Sequence, residues 1–209
     1  MHNDSKSKSQ KIFEIFIATT AWFALVLQFV IMKDSAINFF SYFTILSNLL
    51  VAVGVTIPLI AAHAKVATLV SSASTKTALA LYIFIVGLIY NLVLRGIWEP
   101  KGWQLVADNL LHVIVPILYI IYWLSYPQKT ALKYAEILKW FYFPIAYLAY
   151  SLIRGHLVKW YPYPFLNVTE FGYQQVLINA GFVVITFTII ASILIAINRW
   201  LSRKEKTNV

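Results

Sequence analysis

Residues 35–64 read SAINFFSYFTILSNLLVAVGVTIPLIAAHA and contain no Asp, Glu, Lys or Arg. About 20 mainly apolar residues in helical form cross a bilayer core, so this run predicts a membrane-spanning helix. Most of its polar side chains lie in its first half, Ser41, Thr44, Ser47 and Asn48 among them. Thr44 and Asn48 are four residues apart and share a helix face.

The rest of the chain repeats the pattern. Residues 15–32, 77–94, 109–128, 140–153 and 171–198 also lack all four charged types. The fourth of these extends back through Ile137 and Leu138 when Lys139 snorkels to the interface. The expected fold is therefore all-α: a polytopic bundle of six transmembrane helices, at about 12–32, 39–62, 77–97, 107–126, 136–155 and 172–198, forming a single membrane domain over residues 1–209. The composition agrees, with 60% hydrophobic residues, 12% charged residues and a mean hydropathy of +0.73 in 209 residues. A soluble chain is about a quarter charged. An ordinary soluble enzyme and a disordered chain are both excluded. The absence of cysteine excludes disulfides, thiolate metal sites and a cysteine nucleophile. The first apolar stretch follows Lys6, Lys8 and Lys11 and is too long for a signal-peptide core, so it reads as a retained first span.

A net charge of +9 usually suggests a phosphate-bearing partner. The positions of the basic residues give a different answer. With six spans both termini share one side, together with loops 63–76 and 127–135. That side carries Lys6, Lys8, Lys11, Lys65, Lys76, Lys129, Lys133, Lys139, Arg199, Arg203, Lys204 and Lys206, twelve in all. The other side carries Lys33, Arg95, Lys101, Arg154 and Lys159, five in all. The positive-inside rule places the termini in the cytoplasm. Anionic lipid, rather than nucleic acid, is the expected partner of the excess. Trp98 and Trp103 in one outer loop, and Trp160, Tyr161 and Tyr163 in another, read as interfacial anchors. The prolines in Tyr161-Pro-Tyr-Pro-Phe165 favour a stiff, extended loop over the outer face.

Polar groups inside a bilayer are costly, so their depth is informative. Helix 3 ends with Asn91 and Arg95, helix 4 begins with Asp108, Asn109 and His112, and helix 5 ends with Ser151 and Arg154. Thr44 is expected about 9 Å inside helix 2 and His112 about 6–9 Å inside helix 4, from the rise of a helix. Helices 2 to 5 thus direct their polar groups to one pocket in the outer half. The residue types there suggest nucleophilic chemistry. A hydroxyl such as that of Thr44 needs a base to take its proton, and an imidazole such as His112 suits that task. Asp108, one turn earlier, is placed to orient the ring. Asn48, Asn91 and Arg95 are candidate oxyanion donors. Arg95 and Arg154 are candidate carboxylate-binding groups. Plainer readings exist for each. A membrane threonine commonly bonds its own i−4 carbonyl, arginines near helix ends snorkel, and Asp108 at a helix start can cap free N–H groups. No histidine spacing matches a metal motif, and neither a metal nor a cofactor is expected.

Asn38-Phe-Phe-Ser-Tyr-Phe-Thr-Ile-Leu-Ser-Asn48 resembles the second-helix motif of the androgen-induced-gene family of membrane proteins. Asn109-Leu-Leu-His112, followed by an apolar helix with Pro116, is similar to a later motif of that family. Tyr161-Pro-Tyr-Pro-Phe-Leu-Asn167 with Gly172-Tyr173 is similar to a loop of its bacterial members. The resemblance runs from helix 2 to helix 6. It implies a six-helix threonine hydrolase that cleaves fatty acid esters of hydroxy fatty acids, with Thr44 as nucleophile and His112 as base. In a bacterium it implies the inner membrane. It assigns nothing to Asp108, Asn48, Asn91 or Arg95. The substrate is then a lipid ester entering from the bilayer. Two other classes stay open: a non-enzymatic carrier or channel for a small amphiphile, and a haem-binding membrane protein using His112.

Overall fold

The computed structural model describes residues 7–97 and 99–207, with side chains as far as Lys204. Lys6 and Trp98, and the side chain of Lys206, lie outside the described residues. The described chain is all-α, without strands. Its helices are α1 (Lys8–Ile31), α2 (Ala36–Phe39), α3 (Phe43–Ile60), α4 (Lys65–Val70), α5 (Ala73–Ile89), α6 (Trp103–Asn109), α7 (Val115–Ser125), α8 (Glu136–Trp140), α9 (Tyr142–Val158) and α10 (Val168–Thr207). Two π-helical segments, Tyr90–Leu94 and Leu110–Ile114, continue α5 and join α6 to α7.

Five of these helical runs are long and apolar enough to cross a membrane: Lys8–Ile31, Phe43–Ile60, Ala73–Leu94, Trp103–Ser125 and Val168–Lys204. They correspond to five of the six expected spans. The expected fifth span is divided at Phe141 into α8 and α9, the latter of 17 residues. The outside of the bundle is apolar as well, with Phe16, Phe23, Val30, Ile117, Ile153 and Phe182 among its exposed side chains. A surface of this kind points to a multi-pass membrane protein.

The expected helix at 39–62 is broken near its start. Ser35 caps α2 by accepting the Asn38 N–H at 3.2 Å, and the chain turns at Phe40–Ser41 before α3 begins. Two tyrosines of α9 hold this turn. Tyr147 donates to the Ser41 carbonyl at 2.9 Å. Ser41 spends its own proton on the Ile37 carbonyl at 2.7 Å, so the Tyr150 hydroxyl, also at 2.7 Å, is the donor to Ser41 Oγ. Thr44 therefore sits in the first turn of α3, not two turns into a longer helix.

α1 packs along α3, α5 lies against α3 and α7, and α10 lies against α5. Hydrogen bonds gather at two ends. At one, Tyr122 donates to buried Glu14 at 2.6 Å, Trp123 donates to Thr77 at 3.0 Å, and Ser74 donates to Glu136 at 2.7 Å. At the other, Gln104 bonds Gln28 at 2.8 Å, and the groups around Thr44 meet. An apolar core that includes Val51, Ala52, Leu81, Ile83 and Val115 fills the space between. The sequence gives no expectation for the buried polar cluster around Glu14 and Lys76.

α10 begins four residues before the expected 172 and bends at Gly172, whose φ of +72° suits glycine. Asn167 caps it, accepting the Thr169 N–H at 3.1 Å. Lys159, at φ +56°, ends α9 in a left-handed turn and starts the proline-rich loop that lies over the second polar end.

Candidate active site

α3 opens without a side-chain cap at Tyr42. The first N–H groups of a helix have no partner within it, and here a tyrosine from the proline-rich loop supplies one. Thr44 N–H donates to the Tyr163 hydroxyl at 3.1 Å. The same hydroxyl stands 3.1 Å from Thr44 Oγ1. Thr44 is nearly buried, and on its other side Oγ1 lies 3.2 Å from His112 Nε2.

His112 is carried by the second π segment. Pro116 has no N–H to return to the His112 carbonyl, which disfavours a regular α turn at this point. The ladder runs instead from Val115 N–H to the Leu110 carbonyl, the i→i+5 pattern of a π turn. Gly87 on α5 lets the two helices close here, because a Cβ at that position would lie 3.2 Å from the His112 carbonyl oxygen. His112 Nδ1 stands 2.9 Å from the Asp108 main-chain carbonyl and 3.4 Å from Asp108 Oδ1. Tyr90, from the first π segment, stacks on the imidazole with centroids 4.1 Å apart and planes inclined by 15°. Its hydroxyl donates to the Asp108 carboxylate.

These contacts fix the protons. A carbonyl oxygen only accepts, so His112 Nδ1 carries the ring hydrogen and Nε2 presents a lone pair. Thr44 Oγ1–H then donates to Nε2. Thr44 Oγ1 in turn accepts from Tyr163, whose oxygen already accepts from Thr44 N–H. Burial of the Tyr163 phenol pushes its pKa up to about 12, against the lowering effect of its bonds to Thr44. It stays protonated at neutral pH.

Two cavities meet at this point. One, of about 120 Å³, is apolar and is lined by Ile85, Ile89, Pro144, Leu148, Phe165, Ala180, Val184 and Phe187 from α5, α9, the loop and α10. The other, of about 840 Å³, is a wider vestibule with Gln28, Lys33, Asp34, Glu99, Lys101 and Gln104 on its walls. Thr44, His112, Tyr90, Leu94 and Tyr163 line both. The pocket thus takes walls from α1 and α10 as well as from the four helices expected.

Of the residues singled out in the sequence, Thr44, His112 and Asp108 come together. Asp108 is not at a helix start, since α6 begins at Trp103. Asn48 is fully buried, but it donates to the Thr44 carbonyl at 2.9 Å and to the Leu111 carbonyl at 3.1 Å. Both of its N–H groups are used in clamping α3 to the π segment, and none is left for an oxyanion. Asn91 is exposed and donates back to the Gly87 carbonyl at 2.7 Å. Arg95 is also exposed; it reaches Asn109 at 3.5 Å and lies 5.8 Å above the Tyr90 ring. Arg154 bonds Asn38 and lies 4.7 Å above the Trp160 ring, away from both cavities. Tyr163 is not the interfacial anchor expected of it: it points inward onto Thr44. Trp103 is 66% exposed. Tyr90 was not anticipated either, although it lies one residue before Asn91. No protein-family model, curated protein or solved structure matches the chain.

Proposed function

We propose that this chain is a six-span hydrolase of lipid esters, with Thr44 as nucleophile and His112 as general base. The observation that carries the reading is the contact of Thr44 Oγ1 with His112 Nε2 at 3.2 Å, where an apolar and a polar cavity meet. Substrates of this class have both characters, and their ester carbonyl lies between a hydrocarbon chain and a polar part. The resemblance to the androgen-induced-gene family supports fatty acid esters of hydroxy fatty acids, or related lipid esters, as substrates. In this reading α8 and α9 together make the sixth crossing. The excess of basic residues puts both termini in the cytoplasm, and a bacterial chain would lie in the inner membrane.

The substrate enters sideways from the bilayer with its acyl chain in the apolar cavity. Thr44 Oγ1 bonds to the ester carbon as its proton passes to His112 Nε2, and the carbonyl π pair moves onto oxygen. The intermediate collapses, the carbon–oxygen bond to the alcohol breaks, and His112 returns the proton to the leaving oxygen. Water from the vestibule attacks the acyl-threonine, giving a proton to His112. Fatty acid leaves, and Thr44 Oγ1 regains its hydrogen. The Asp108 carbonyl and carboxylate face the imidazolium that forms between these steps.

Turnover of 4-nitrophenyl and hydroxy-fatty-acid esters by the purified chain in lipid nanodiscs tests this reading, together with labelling by a fluorophosphonate. Thr44→Ala is expected to lose labelling and to lower kcat by about 10³-fold or more. Wild-type turnover in the Thr44→Ala protein refutes the mechanism.

A further inference from the structure

Attack on an ester places a negative charge on the former carbonyl oxygen, and preorganised donors for that charge usually make the largest single contribution to such catalysis. The donors expected from the sequence do not reach it. Asn48 has committed both N–H groups to carbonyls, and Asn91 and Arg95 are exposed, bonded to the Gly87 carbonyl and to Asn109, and line neither cavity. Tyr163 stands at the right place. Its hydroxyl is 3.1 Å from the atom that attacks, and it lines both cavities.

We propose that Tyr163 is a catalytic residue whose O–H donates the hydrogen bond that holds the oxyanion formed on Thr44. The proposal rests on the reading of Thr44 as nucleophile. The hydrogen count supports it. The Tyr163 oxygen accepts from Thr44 N–H at 3.1 Å, so the main chain fixes that oxygen in place while its one hydrogen stays free to turn about the Cζ–O bond. At rest the hydrogen points to Thr44 Oγ1. Once Oγ1 is bonded to the ester carbon, the oxyanion is the neighbouring atom on that same carbon, and the hydrogen turns to it. No proton is transferred in this step. The phenol lends a hydrogen bond while the oxyanion lasts and returns to Oγ1 when the carbonyl reforms.

The loop is built to hold that oxygen still. Tyr163 lies between Pro162 and Pro164, with its ring parallel to Phe165 at 5.3 Å and edge-on to Tyr42 at 5.8 Å. A donor held by fixed packing needs no reorganisation as charge develops.

The test is Tyr163→Phe in the full chain in nanodiscs, assayed with a 4-nitrophenyl acyl ester and with a trifluoromethyl ketone that forms a tetrahedral adduct. Expected are a fall in kcat of about 10²–10³-fold with KM nearly unchanged, and a loss of ketone affinity by the same factor as kcat/KM. A merely structural tyrosine would lower turnover without that proportionality, and this outcome overturns the proposal. So does full activity of the variant beside an inactive Thr44→Ala protein, which leaves the nucleophile reading intact. A wild-type chain that turns over no ester overturns both. Should the Phe variant fold poorly, 3,5-difluorotyrosine in place of Tyr163 keeps the ring and makes the phenol more acidic. Its activity is expected to fall on the alkaline side at a pH where wild type is unaffected, because a phenolate has no hydrogen to donate. An unchanged pH profile overturns the proposal.

Discussion

His112 is oriented by a main-chain carbonyl as well as by a carboxylate, and this changes what each part of Asp108 is worth. In a triad where the carboxylate alone holds the imidazole, replacing it by an amide lets the wrong tautomer form and costs about 10⁴-fold in kcat. Here the carbonyl at 2.9 Å keeps the hydrogen on Nδ1 whatever the Asp108 side chain is. Asp108→Asn is therefore expected to lower kcat by only about 10–10²-fold, or about 1.4–2.7 kcal/mol, through lost stabilisation of the imidazolium. Turnover by the purified variant measures it, and a loss near 10⁴-fold would show that the carbonyl does not hold the tautomer. Thr44, His112 and Asp108 were legible in the sequence because a polar side chain in an apolar run is conspicuous and because spacing by four marks a common face. Tyr163 was not, since an aromatic in a loop rich in tyrosine and tryptophan looks like an interfacial anchor until its neighbours in space are known. Asn91 and Arg95 misled for a different reason. They lie in and just beyond a π segment, where one extra residue in the turn rotates the later side chains by about 100° relative to a regular helix.

At the scale of elements, the imidazole and the ring stacked on it both come from π segments. Tyr90 and His112 face each other because each helix carries an extra residue at the same height. Pro116 signals one of these bulges in the sequence, whereas nothing comparable marks the other. The break that leaves Thr44 in a first turn was equally hidden, because Phe40, Ser41 and Tyr42 continue the apolar pattern without glycine or proline. The proline-rich loop was expected as a stiff cover, and it does lie over the site. Its anchor is Gly155 on α9, where a Cβ would fall 2.0 Å from the Tyr161 ring. Gly155→Ala is expected to push that ring away and to move Tyr163, two residues on, off Thr44. Overpacking of this kind costs about 1–3 kcal/mol. Thermal unfolding and turnover should both fall, and adding Tyr161→Ala should restore stability by removing the clash. Failure of the second substitution to restore it would mean that the ring is not what the glycine accommodates.

Over the whole molecule, the proposed route for the acyl chain passes Val184, an α10 residue that lines the apolar cavity and is 43% exposed. Val184→Trp is expected to narrow that route. The ratio of kcat/KM for dodecanoyl over butanoyl esters should fall by at least about tenfold, since each methylene excluded from an apolar pocket is worth roughly 1–3 kcal/mol. An unchanged ratio would place the acyl chain elsewhere. The apolar helical bundle was readable from the charge-free stretches because a bilayer imposes length and polarity on every crossing. The division between α8 and α9 has a sequence signal that reads only as a tolerable kink: Pro144 has no N–H to return to the Trp140 carbonyl, which accepts from Tyr82 at 2.8 Å instead.

The cluster of Glu14, Tyr122 and Lys76 closes the end of the bundle opposite Thr44 with buried polar groups. On the proposed reading, the two leaflets of the membrane are then unequal for this protein. Esters in the leaflet at the Thr44 end can slide directly into the site. Those in the other leaflet meet packed helices and must first flip, so hydrolysis would draw down one leaflet and create a transverse lipid imbalance as it proceeds.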